Sequence, residues 1–181
     1  MPRRLNDQGD NMRTRKAIAS ISCGDASATR HAGKVLRAQA KRIRLGWLER
    51  RSAKRDMPPW DNPNGFVRRE AYRLVRHFLN AGCGDVINDM VGTMGKVPRS
   101  PTFELNPFHW GLLVIAGDDP SAEFVTRPDR RLFGAQLLHA HRHDVPEALL
   151  IGFISQLGGA MTIHQRVAKQ RRGKLFDPDT P

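Results

Sequence analysis

Apolar side chains recur with a helical period over most of the chain. Val35, Leu36, Ile43, Trp47 and Leu48, with Ala32 and Ala40, stand three, four, and seven or eight residues apart. That spacing predicts one amphipathic helix from about Ser27 to Ala53, with Ser27 or Thr29 as its cap. Residues 57–65 hold three prolines and a closing Asn64-Gly65, which read as a connector between two units. Phe66, Val67, Ala71, Leu74, Val75, Phe78 and Leu79 restore the helical period to about Asn80, where Gly82-Cys83-Gly84 ends it. Asp85 starts a further helix with Val86, Ile87, Met90, Val91 and Met94 as its apolar side.

The second half is patterned more ambiguously. Residues 96–109 read as a loop anchored by Phe103, Leu105 and Phe108, and the run 111–116 is apolar without alternation, so a helix and a short β element are both compatible with it. Residues 129–143 and 146–157 carry helical stripes, the second with Pro146 in its first turn under a cap from Asp144. A last helix begins near Met161 and ends in the cluster Arg166, Lys169, Arg171, Arg172 and Lys174. The predicted fold is mainly α: a helical domain of about five helices over 66–172, preceded by a basic helical arm over 27–56. A polar segment, 1–26, and a short tail, 173–181, lack the apolar anchors that repay ordering.

Charge sharpens this division. Residues 1–55 contain 15 Lys plus Arg against Asp7, Asp10, Asp25 and Glu49, a balance of +11; the remaining 15 basic and 14 acidic residues give +1, and the sum is the chain's +12. Off the apolar stripe of the first helix lie Lys34, Arg37, Lys41, Arg42, Arg44, Arg50, Arg51, Lys54 and Arg55. Solvated helix faces usually alternate in sign, whereas here Glu49 is the one acidic residue between Arg30 and Arg55. Like charges at helical spacing repel by a few tenths of a kcal/mol per pair, so an anion that neutralises the run is the expected partner. Arg69, Arg73 and Arg76 form a stripe after the connector that extends the same track. The footprint is that of phosphate contact with nucleic acid, DNA or RNA, made without a stacking platform, because Trp47 is the one aromatic residue of the basic segment.

Sites for chemistry are sparse. His139 and His143 share a helix face and are the best candidates for a metal pair, but Ala140, His141 and Arg142 between them include no Glu, and no third ligand stands at a defined distance. Asp118, Asp119 and Glu123 read as a turn or cap before they read as nuclease carboxylates. Walker, G-x-S-x-G, C-x-x-C and G-x-G-x-x-G patterns do not occur. Cys83 reads as a buried structural residue or a helix cap, and two cysteines do not make a disulfide scaffold. With no apolar run near the roughly 20 residues of a membrane span and no leader pattern, the sequence reads as that of a cytoplasmic, non-catalytic nucleic-acid-binding or ribonucleoprotein accessory protein without cofactor. The competing classes are a protein-interaction or inhibitor module that docks on an acidic partner, and a small metal-dependent hydrolase or nuclease.

Overall fold

The computed structural model describes residues 23–53, 56–95, 97–117 and 124–157. These form six α-helices and no strand: α1 (Ala26–Ser52), α2 (Pro63–Asn80), α3 (Gly84–Thr93), α4 (Pro107–Ala116), α5 (Arg127–Arg142) and α6 (Leu150–Gln156), with a 3-10 turn at Glu147–Leu149 before α6. The mainly α reading therefore holds. The expected polar segment up to residue 22, Lys54 and Arg55, the Asp118–Glu123 carboxylates and the C-terminal basic helix all lie outside the described residues. No helix among the described residues is long and apolar enough to cross a membrane.

The organising element is α4, where the sequence left helix and strand open. It is a helix because Asn106 accepts a hydrogen bond from the His109 amide at 3.1 Å and Pro107 supplies a first-turn residue with a preset φ. Its stripe is not one-sided: Phe108, His109, Trp110, Gly111, Leu112, Val114 and Ile115 are all buried. A helix apolar on every side must be surrounded, and α1, α2, α3 and α5 all pack on α4. Two glycines set the closeness of that packing. A Cβ on Gly111 would overlap the Val75 side chain of α2, and one on Gly134 of α5 would stand 3.1 Å from the Cα of His109.

Helix α1 belongs to the same core. Ala32, Leu36, Ala40, Ile43 and Trp47 are buried in one hydrophobic cluster with Val75, Phe78, Leu112 and Ile115, and the Trp47 ring meets Phe124 edge-on at 5.2 Å. The apolar stripe read from the sequence thus docks on the helical domain.

Several local expectations need correction. The cap of α1 is Asp25, whose side chain accepts from the Ala28 amide at 2.7 Å, in place of Ser27 or Thr29. The connector is shorter than 57–65, since Asn62 caps α2 and Pro63, Asn64 and Gly65 form its first turn; proline is tolerated there because a first-turn N–H has no intrahelical acceptor. Asp85 lies within the first turn of α3, behind Cys83 at the N-cap. Asp144 adopts φ 46° and caps nothing; its carboxylate instead pairs with Arg76 at 2.6 Å. Finally, Cys23 and Cys83 form a disulfide with Cα atoms 5.5 Å apart, tying the chain two residues before the α1 cap to the start of α3.

Candidate nucleic-acid interface

The burial of one side of α1 decides what its other side presents. With Ala32, Leu36, Ala40, Ile43 and Trp47 turned inward, Arg30, Lys34, Arg37 and Lys41 fall at i, i+4, i+7 and i+11 on the opposite face, and all four are exposed. At 1.5 Å per residue they form a straight cationic stripe roughly 17 Å long. Lys34, Arg37 and Lys41 have no carboxylate within ion-pairing distance among the described residues. The face then changes character and continues as Leu45 and Leu48, 53% and 39% exposed.

Arg44 and Arg50 of the predicted wall are drawn into the fold. Arg44 donates from Nη1 to the carbonyl oxygen of Ala116 at 3.2 Å, a cation at the C-terminus of α4 where the helix dipole favours it. Arg50 donates to Asp61 at 3.0 Å, and its guanidinium lies 3.8 Å from the centre of the Phe66 ring. Arg51 is exposed with its guanidinium 5.1 Å from the Trp47 ring, and Arg42 is half-buried and already engaged.

Arg69, Arg73 and Arg76 are each paired with groups of the chain itself. Arg69 pairs with Glu70 at 3.2 Å and donates to the Trp60 carbonyl. Arg73 bridges Glu70 at 3.0 Å and Glu147 at 2.7 Å, and Arg76 joins Asp144 to the carbonyl of Val145 at 3.0 Å. Burial works to lower the pKa of Arg73, but its bond to Glu147 and the charge of Glu70 outweigh that and raise it. Arg73 and Arg76 clamp α2 to the α5–α6 connection, together with the Tyr72 hydroxyl, which donates to the Val145 carbonyl at 2.8 Å.

The histidine pair is brought together but not equipped as a metal site. The rings of His139, buried, and His143, exposed, lie 4.5 Å apart, and Phe153 covers both. No group of three His, Cys, Asp or Glu side chains able to hold a metal occurs among the described residues. His141 points elsewhere, its ring 5.2 Å from that of Phe108. Burial, followed by the charge of Arg76, pushes its pKa down against the pull of Asp144. Asp85 and Asp89 sit exposed on α3, and both cysteines are consumed by their bond.

Two features escape a reading by spacing. Arg68 lies inside the α2–α5 contact with its guanidinium 4.0 Å from the Phe133 ring, and burial lowers its pKa to about 10 despite the nearby charge of Asp129. In sequence it is one more arginine beside Arg69. The Cys23–Cys83 bond spans 60 residues, and its sole signal is that the chain holds two cysteines. Comparison with protein families, with characterised proteins and with solved structures finds no match.

Proposed function

We propose that the protein binds nucleic acid through the exposed face of α1, with Lys34, Arg37 and Lys41 as its central phosphate contacts and Arg30 at one end. The observation that carries this reading is the stripe itself: cations in register on a helix held rigid by its opposite face, with carboxylates absent from their ion-pairing range among the described residues. Affinity comes from releasing the counterions condensed on the phosphates, a process that discriminates little between sequences. The protein acts by charge neutralisation, with no chemical step and no cofactor. Arg44, Arg50, Arg73 and Arg76 serve the fold in this account, because their donors are committed to acceptors of the chain itself.

A cytoplasmic site of action and a disulfide are reconciled when the bond is responsive, since cytosolic disulfides are commonly transient or redox-sensing. The test of the binding role is a gel-shift titration of the full chain and of Lys34→Gln/Arg37→Gln/Lys41→Gln with a double-stranded DNA oligonucleotide and its RNA counterpart. The account expects binding that is lost or severely weakened in the triple variant at near-physiological salt, with helical content preserved. Equal affinity of the two proteins for both probes would dismiss the stripe as the interface.

A further inference from the structure

We propose that the Cys23–Cys83 bond is a redox-sensitive latch on the N-terminal end of the basic helix; its effect on binding rests on the phosphate reading of α1. The first buried side chain of α1 is Ala32, where the helix meets α3 and a Cβ on Gly33 would stand 3.9 Å from the Val86 side chain. Ahead of it, every residue from Gly24 to His31 is exposed except Ala28, which is half-buried. Among the described residues, those two turns are held at the side-chain level by the Asp25 cap, the bonds of Thr29 and Arg30 back to the Asp25 and Ala26 carbonyls, and the disulfide behind the cap. An isolated helical turn is marginal in water, and a helix end without buried contacts opens at low cost. The bond fixes the point at which the chain enters the helix, and the stripe begins seven residues later at Arg30.

The two sulfurs differ in access. Cys83 is 1% exposed, whereas Cys23 is half-buried on the rim. A dithiol reductant therefore attacks Cys23 Sγ. Its thiolate forms a mixed disulfide with Cys23 and expels Cys83 as a thiolate, which takes up a proton. The reductant's second thiolate then displaces the Cys23 thiolate and leaves as a cyclic disulfide, having delivered two electrons. Reduction releases the segment from Cys23 to His31, while Ala32, Leu36, Ala40, Ile43 and Trp47 keep the rest of α1 docked. The oxidised chain presents the whole stripe and the reduced chain presents it without Arg30 in a fixed place.

Hydrogen exchange on the full chain, oxidised and after dithiothreitol, tests the latch, with Cys23→Ser as the second variant. Amides over residues 28–31 should exchange faster by about tenfold or more on reduction, while those over residues 36–50 stay unchanged. Unaltered exchange at 28–31, or loss of protection throughout α1, would overturn it. Binding of the duplex DNA oligonucleotide should weaken by about threefold on reduction, and Cys23→Ser should match the reduced chain and ignore the reductant. A changed exchange pattern with equal affinity in the two redox states would refute the control of binding. Failure of both forms to bind would count against the phosphate reading instead, and the exchange result would still decide the latch.

Discussion

Gly111 carries no side chain because Val75 occupies the space one would need. Alanine there must push α2 from α4 or distort Val75, and overpacking of that kind costs about 1–3 kcal/mol. Gly111→Ala should lower the urea midpoint by a corresponding amount; an unchanged midpoint would mean that the two helices are not in such close contact. His109 supplies a pH dependence at the same scale. Burial depresses its pKa below 6.5, opposed by the Arg130 backbone and reinforced by the charges of Arg130, Arg131 and Arg127. The folded chain thus holds the ring neutral while the unfolded chain takes up a proton near pH 6.5. The stability this neutral ring contributes is complete above that pH and is lost as pH falls toward the lower folded pKa; His141, depressed first by burial, adds to the loss with the same sign. Urea midpoints at pH 7.5 and 5.5 should show the lower value at acid pH, and His109→Gln should narrow the gap. A gap of the same size in that variant would assign the dependence to other groups.

At the scale of elements, the chain was most legible where one face of a helix alternates clearly with the other. The predicted stripe contains all five buried residues of α1, but its Val35 is half-buried and its Leu48 exposed, and the Gly82-Cys83-Gly84 break marks the junction of α2 and α3. Helix α4 was ambiguous because it is buried on every side: without a polar face there is no period to read, and Asn106 and Pro107 are the local clues to helix. The roles of the arginines were legible only in part. Spacing places Arg73 and Arg76 on a stripe, but their partners Glu147 and Asp144 lie 74 and 68 residues away, a pairing that the fold alone creates. For the same reason the first helix is no detachable arm. A chain lacking residues 1–55 leaves the core facing of α2, α3 and α4 uncovered, and its circular dichroism should show loss of cooperative unfolding. A sharp, native-like transition in that fragment would contradict the shared core.

For the whole molecule, the charge balance is +11 on the first 55 residues against +1 on the rest, and the basic side chains described within that first segment are placed in different ways. Arg44 and Arg50 of that segment satisfy acceptors within the fold, whereas Arg30, Lys34, Arg37 and Lys41 face outward in a line. The functional claim therefore narrows from a basic region to one helix face, whose rigidity comes from the neutral domain beneath it. Counterion release makes that claim quantitative, because each phosphate contact on duplex DNA adds about 0.9 to the slope of log K against log salt. The most direct measurement is that slope for the full chain and for Lys34→Gln/Arg37→Gln/Lys41→Gln. The account predicts a steep slope for the unaltered protein and a slope shallower by about 2 to 3 for the triple variant. Equal slopes in the two proteins, or binding of the unaltered protein that ignores salt, would contradict it.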